Sequence, residues 1–89
     1  MNKTAFISGA SRGIGKAIAE AFAVQGYDLI LTCIQNIDTL NELANTLSAK
    51  YHISCRTYQA DMGSFEDVQK VFAEITHLDV LINNAGISY

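Results

Sequence analysis

The sequence contains no proline, only two cysteines and no long hydrophobic run. Cys33 and Cys55 stand alone, without Cys-x-x-Cys spacing or nearby histidines, which argues against a metal site and against a disulfide framework. We therefore expect two buried, reduced thiols and no metal. The longest apolar runs are far too short to cross a bilayer, and no signal peptide precedes the first predicted strand. These absences predict a cytoplasmic protein that does not enter a membrane.

Charge is also sparse in this chain. Charged residues make up 17% of the sequence and the formal net charge is −3, so there is no basic stripe of the kind that binds nucleic acid. A length of 89 residues leaves room for one small domain. Internal repeats, low-complexity tracts and linker-like stretches are absent as well. We expect no domain boundary within the chain.

Three glycines fall within residues 8–15, which read SGASRGIG and separate an apolar run from an amphipathic segment. A strand that turns sharply into a helix points the free N–H groups and the positive dipole end of that helix at the turn, where a pyrophosphate fits. Gly9 would make the turn, Gly13 would let the backbone approach the phosphates, and Gly15 would let the helix pack close to the sheet. The spacing is G-x-x-x-G-x-G, not G-x-G-x-x-G. A purely structural turn is the alternative.

The rest of the chain alternates between strand and helix patterns in the order β-α-β-α-β-α-β. Helical spacing of apolar residues predicts a first helix with one buried face, ended by Gly26. That face would contain Ile14, Ala17, Ile18, Ala21 and Phe22. A continuous apolar run at 29–31 predicts a central parallel strand covered on both faces.

A second and a third helix follow, each before a further strand. Asn36 and Asp38 are both candidate N-caps of the second helix. Ser64 and Asp67 have the spacing of a capping box at the start of the third. The predicted buried residues are Leu40, Leu43, Ala44 and Leu47 in the second helix, and Val68, Val71, Phe72 and Ile75 in the third. The predicted strands cover residues 54–60 and 79–82, and the latter runs directly into Asn-Asn-Ala-Gly at 83–86.

This alternation predicts an α/β fold, the N-terminal half of a Rossmann-type doubly wound parallel sheet with strand order 3-2-1-4. Ligands of such sheets bind at the carboxyl ends of the strands. The glycine turn follows the first strand, Cys33 and Ile34 follow the second, Asp61 and Met62 follow the third, and residues 83–86 follow the fourth. We therefore expect one ligand site at this edge.

The glycine turn and the Asn-Asn-Ala-Gly segment together resemble the short-chain dehydrogenases/reductases, and most closely the 3-oxoacyl-acyl-carrier-protein reductases among them. The resemblance covers the whole chain and includes Asp61 and residues 78–87. It implies that Asp61 and Met62 meet the adenine, and that Asn83 helps to tie the strands together. The other cofactor contacts that it implies are Gly9, Ser11, Arg12, Gly13, Ile14 and Gly15 around the phosphates and the adenosine ribose, and Asn84, Ala85 and Gly86 beside the second ribose and the nicotinamide.

The catalytic Tyr-x-x-x-Lys of this family and its serine partner lie beyond the Asn-Asn-Ala-Gly segment, where this sequence has only Ile87, Ser88 and Tyr89. No lysine follows Tyr89 to lower its phenol pKa from about 10, so we assign no catalytic residue. Residues 1–89 are thus expected to form a partial dinucleotide-binding domain that lacks the catalytic half. The connection at 76–78 is shorter than is usual in the family that the chain resembles, which implies a third helix that tilts or ends early.

The cofactor can be predicted from the end of the second strand. NAD sites usually place an acidic residue there, about 20 residues beyond the glycine turn, to accept a hydrogen bond from the ribose 2′-hydroxyl. This sequence has Cys33, Ile34 and Gln35 instead, and Arg12 can donate to a 2′-phosphate. NADP is therefore favoured. In the alternative, Arg12 is a solvated surface cation and Asp38 reaches the ribose, which favours NAD.

The resemblance implies an NADPH-dependent reductase of 3-oxoacyl groups in fatty acid synthesis, acting on a small-molecule or acyl-carrier-protein-linked substrate as a homo-oligomer. Another alcohol or sugar is an alternative substrate, and a truncated, non-catalytic nucleotide-binding module is an alternative of a different class. Several residues also have structural interpretations. Asp61 would cap a turn, Asn83 and Asn84 would satisfy backbone groups, and His52 and His77 would lie on the surface.

Overall fold

The computed structural model describes residues 2–84, which form one parallel sheet with helices on both faces. The elements are β1 (Thr4–Ile7), α1 (Gly13–Val24), β2 (Asp28–Cys33), α2 (Ile37–Tyr51), β3 (Cys55–Gln59), α3 (Phe65–Phe72) and β4 (Val80–Ile82). The strand order is β3-β2-β1-β4, and every neighbouring pair is parallel. The predicted fold class and strand order are confirmed.

The two central strands separate two hydrophobic clusters. Leu29 and Leu31 of β2 belong to the larger cluster, with α1 and α2. Ile30 belongs to the smaller one beside Phe6, its partner in register on β1. The Phe6 ring stacks on the ring of Phe72, with 5.1 Å between the centroids. Burial on both faces confirms that β2 is a central strand.

The predicted buried face of α1 is wrong in part. The fully buried residues of this helix are Gly15, Ala19 and Ala23. Of the predicted face, Ile18 and Phe22 are half-buried, whereas Ile14, Ala17 and Ala21 are exposed. The glycine turn sets this rotation, because a Cβ on Gly15 would lie 2.0 Å from the Gly9 carbonyl oxygen. Only glycine can occupy that position, and the small alanines four and eight residues later face the same way.

The ends of the longer helices follow their local chemistry. Gly26 has a φ of 84° just after the last turn of α1, and its N–H donates to the Ala23 carbonyl at 3.0 Å, as its predicted capping role requires. In α2 the four predicted core residues are all buried. Asn36, not Asp38, is the N-cap of α2; it has a left-handed φ of 66°, and its side chain makes no capping hydrogen bond.

The third helix forms only half of the predicted capping box. The Ser64 hydroxyl accepts the Asp67 N–H at 3.4 Å. The Asp67 carboxylate instead accepts the Asp61 N–H at 2.8 Å, because the Ser64 N–H already donates to the Asp61 carbonyl. The helix ends early, at Phe72, as the short connection predicted. Of the predicted face only Val71 is fully buried, since α3 has just eight residues and covers little of the sheet.

A hydrogen-bonded pair at the amino edge of the sheet was missed by the sequence analysis. Asp79 Oδ2 accepts the Thr4 N–H at 2.8 Å and lies 2.8 Å from His77 Nε2, so it links β1 to the start of β4. The hydrogen bond from Thr4, followed by the His77 contact, holds the pKa of Asp79 below its ordinary value. His52 and His77 lie on the surface, as expected.

Candidate functional site

The turn between β1 and α1 has the backbone that its glycines predict. Gly9 and Gly13 have φ values of 64° and 63°, in the left-handed region that favours glycine. A Cβ at Gly13 would have nothing within 4 Å, so the backbone there faces open space. Arg12, the N-cap of α1, makes no side-chain capping bond, and the first turn contains no acidic residue. The amino end of α1 is therefore suited to an anion.

Gly15 allows a close approach between the first turn of α1 and the segments that follow β1 and β4. Its missing side chain admits the Gly9 carbonyl and the Asn84 side chain, because a Cβ would lie 2.0 Å from Gly9 O and 2.8 Å from Asn84 Nδ2. Asn84 Nδ2 also donates to Gly9 O, at 3.3 Å. The glycine turn thus folds back onto the first turn of α1 and is held there by the residue that follows β4.

A cavity of about 520 Å³ opens beside this turn at the carboxyl edge of the sheet. Its size lies within the range typical of small-molecule sites. The glycine turn, the end of β2 and the end of β4 all contribute to it, as the sequence predicted. Its lining residues are Gly9, Ser11, Arg12, Gly13, Cys33, Ile34, Gln35, Asn36 and Asn84.

The charge of this lining is positive. Arg12 is exposed, and the other described residues of the lining include no acid. Asp38 lies in the first turn of α2 and is not part of the lining. Cys33 is buried, and its burial raises the pKa of the thiol, which keeps the sulfur protonated and unreactive. The described part of the lining can therefore attract an anionic ligand, and its Cys33 thiol is not a ready nucleophile.

Four predicted contacts lie outside this lining: Ile14, Gly15, Asp61 and Met62. The Asp61 carboxylate accepts the Gly63 N–H at 2.8 Å, so it does cap the turn before α3. Met62 packs against the smaller hydrophobic cluster. Contact of Asp61 and Met62 with adenine stays a prediction.

The last predicted contacts follow β4. Asn83 Oδ1 accepts the hydroxyl hydrogen of the buried Ser8 at 2.9 Å, which joins the ends of β4 and β1. Ala85 and Gly86 lie outside the described residues, as do residues 87–89, and their roles stay predictions. The sequence analysis missed Asn36 as a lining residue. Its signal was the tolerance of asparagine for a left-handed backbone just where β2 must turn into α2.

No helix of residues 2–84 has the length and apolar character needed to cross a membrane. No group of three or more histidines, cysteines and acidic residues in the same part of the chain could hold a metal ion.

A match to a known family shows which family this chain belongs to. The profile of the short chain dehydrogenases matches residues 3–89. The chain belongs to this family. Among curated short-chain dehydrogenase relatives, an uncharacterised oxidoreductase of Bacillus subtilis is 39% identical over 90 residues, which covers 100% of this chain and 37% of the relative. A 3-oxoacyl-acyl-carrier-protein reductase of Staphylococcus epidermidis is 34% identical over 92 residues, covering 99% of this chain and 37% of that enzyme.

A solved structure supports the same assignment. The L-sorbose reductase of Gluconobacter frateurii, in complex with NADPH and L-sorbose, superimposes with a TM-score of 0.85 at 36% identity. The match covers 99% of this chain and 35% of that protein. The chain therefore spans little more than a third of the length of these short-chain dehydrogenases, and contains the part that holds the glycine turn.

Proposed function

We propose that this chain is the NADP-binding part of a short-chain reductase, with the cofactor's adenosine half in the cavity beside the glycine turn. One observation carries the proposal: Arg12 lines the cavity, and the end of β2 offers Cys33, Ile34 and Gln35 where an NAD site would have an acid. A carboxylate there would repel a 2′-phosphate, whereas a guanidinium binds it with paired hydrogen bonds.

The residues present fit such a cofactor. The open backbone at Gly13 and the uncapped amino end of α1 suit a diphosphate. Ile34, which is 53% exposed, offers an apolar surface within the same cavity for a base. Asn84 would border the second ribose, beyond its bond to the Gly9 carbonyl. NADPH, when bound, supplies the hydride of the reduction, and these residues hold and orient the nucleotide.

The substrate that we propose is a 3-oxoacyl group on acyl-carrier protein, reduced to the 3-hydroxyacyl group. The likeness of the glycine turn and residues 78–87 to that enzyme class, and the Staphylococcus relative, support this choice. A sugar or another alcohol is the second candidate, supported by the L-sorbose reductase. We propose further that residues 1–89 are a partial domain without the catalytic half, inactive alone. Assembly as a homo-oligomer and a cytoplasmic location stay predictions.

Binding of two nucleotides that differ in one phosphate tests the role of Arg12. Adenosine 2′,5′-bisphosphate should bind more tightly than adenosine 5′-monophosphate, and Arg12→Ala should weaken the bisphosphate about tenfold or more while leaving the monophosphate nearly unchanged. Lys16→Ala is the matched control, because Lys16 is an exposed cation one turn further along α1 and outside the lining. Equal affinities of the wild-type chain for the two nucleotides would exclude a 2′-phosphate site. An equal loss of both in Arg12→Ala would show that Arg12 binds the 5′-phosphate instead.

A further inference from the structure

The loop between β2 and α2 carries the apolar surface on which the nucleotide base would pack. This loop consists of residues 34–36, which are all exposed and all line the cavity. Ile34 supplies the apolar part, and Asn36 leads the chain into α2 through its left-handed backbone. The Asn36 side chain makes no capping hydrogen bond, so it does not tie the loop to the helix. The position of Ile34 therefore depends also on contacts with a neighbouring element.

Such a contact comes from the end of β3. Gln59 is the last residue of this strand and the partner of Cys33 in the register of β2 and β3. Its Nε2 donates to the Ile34 carbonyl oxygen at 3.1 Å. The next residue, Ala60, donates its N–H to the Cys33 carbonyl oxygen at 2.9 Å. Because these two bonds hold consecutive carbonyls, β3 restrains the chain one residue beyond the end of β2.

Alternation along β3 explains why the Gln59 side chain is available for this contact. Successive side chains of a strand point to opposite faces, so Cys55, Thr57 and Gln59 share one face. Cys55 packs against the larger hydrophobic cluster, and the Thr57 hydroxyl donates to Asn41 Oδ1 of α2 at 2.5 Å. Gln59 comes next on this face, and its amide reaches the loop instead of α2. Since Gln59 is exposed, it contributes little to the core, and its contact is with the loop.

We propose that Gln59 is a positioning residue of the nucleotide site, which holds Ile34 where the base packs on it. Gln59 does not line the cavity, so it acts through the Ile34 carbonyl and not by touching the cofactor. The inference rests on the proposed function, because it requires a base on Ile34.

The size of the effect follows from preorganisation. A loop that is held in its binding arrangement before the ligand arrives binds more tightly than a loop that must be ordered on binding. The gain cannot exceed the net strength of one hydrogen bond, which corresponds to about three- to tenfold in affinity.

Gln59→Met tests this role, because methionine has nearly the size of glutamine but has no N–H to donate. The variant should bind adenosine 5′-monophosphate about three- to tenfold more weakly than the wild type does. Ribose 5-phosphate, which has no base, should bind both proteins alike. NMR chemical-shift titration measures these affinities. Gln69→Met is the matched control, because Gln69 is an exposed residue of α3 outside the lining, and it should change neither affinity.

A double-mutant cycle shows whether Gln59 acts through Ile34. Ile34→Ala removes most of the apolar surface and should itself weaken the binding of adenosine 5′-monophosphate. In the Ile34→Ala background, Gln59→Met should have little further effect, because no apolar surface is left for it to position. Fully additive losses would overturn the proposal, since they would mean that the two residues act independently.

The outcomes separate this inference from the proposed function. If the wild type binds adenosine 5′-monophosphate and Gln59→Met binds it equally well, Gln59 is not a positioning residue, and the proposed site stands. Equal losses of adenosine 5′-monophosphate and ribose 5-phosphate would also overturn the inference, because they would show a general effect on the fold. A wild type that binds neither adenosine 5′-monophosphate nor adenosine 2′,5′-bisphosphate would overturn the proposed function and this inference with it. Circular dichroism checks folding, and Gln59→Ala, which also lacks the donor, replaces Gln59→Met if that variant does not fold.

Discussion

Substitution of Gly15 by alanine should damage both the fold and the site. The added Cβ would lie 2.0 Å from the Gly9 carbonyl oxygen, where real contacts stay beyond 3.0 Å, so the glycine turn must move by about 1 Å. Overpacking of this kind costs about 1–3 kcal/mol. Loss of the bond from Asn84 Nδ2 to Gly9 O adds about 1 kcal/mol, and the better helix propensity of alanine returns about 1 kcal/mol. We expect the free energy of unfolding to fall by about 1–3 kcal/mol.

Gly26→Ala is the matched control for this experiment. Gly26 has a φ of 84° and nothing within 4 Å of an added Cβ, so alanine there incurs only the left-handed backbone cost of about 1 kcal/mol. Urea denaturation measures both variants, and nucleotide titration shows whether the turn has moved. Gly15→Ala should lose nucleotide affinity, and Gly26→Ala should keep it. If Gly15→Ala is as stable as the wild type and binds nucleotide equally well, the close approach of the Gly9 carbonyl is not the reason for glycine at this position.

Three further substitutions test individual polar groups. Thr32→Val should leave the free energy of unfolding unchanged or raise it by up to about 1 kcal/mol, because the buried Thr32 hydroxyl has no hydrogen-bond partner among residues 2–84; a clear loss in urea denaturation would reveal one. Asp79→Asn should flatten the loss of stability in acid: the pKa of Asp79 is lowered in the folded chain, so its stabilisation is complete near neutrality and disappears as the pH falls below about 4. If the stability of the wild type and that of Asp79→Asn fall identically with pH, Asp79 does not stabilise the fold in this way. Ser64→Ala should destabilise the chain by about 1 kcal/mol through loss of the α3 cap, and an unchanged urea midpoint would show that the cap is weak.

The order of the strands was predictable from the sequence because it follows from local residue patterns and from the order in which strands and helices alternate. The apolar run in β2 and the alternation of elements leave a parallel sheet as the arrangement that buries them. The core of α2 was predictable as well, since its leucines repeat at helical spacing and nothing else competes for that face.

The rotation of α1 was not predictable from periodicity. Two apolar faces exist on this helix, and the pattern cannot show which one meets the sheet. The choice is made by the contact of Gly15 with the Gly9 carbonyl, which depends on the three-dimensional path of the turn. The hydrogen bond of Asp61 was not predictable from periodicity either. The sequence allowed its side chain to cap a turn or to contact adenine, and only the fold places the Gly63 N–H beside it.

The sequence predicted the edge of the sheet at which the candidate site lies. It did not predict every residue that lines the site. Gly9, Ser11, Arg12, Gly13 and Asn84 do line the cavity, because strand ends converge in any parallel sheet. Asn36 joins them only because the chain turns through a left-handed residue before α2. Such a turn has no periodic pattern in the sequence.

Calorimetric titration of the wild-type chain with NADPH and with NADH tests the central claim most directly. The account predicts that NADPH binds, that NADH binds at least about tenfold more weakly, and that adding a 3-oxoacyl thioester consumes no NADPH. Equal binding of the two cofactors, or binding of neither, would contradict an NADP site built around Arg12. Consumption of NADPH would show that residues 1–89 are catalytic by themselves.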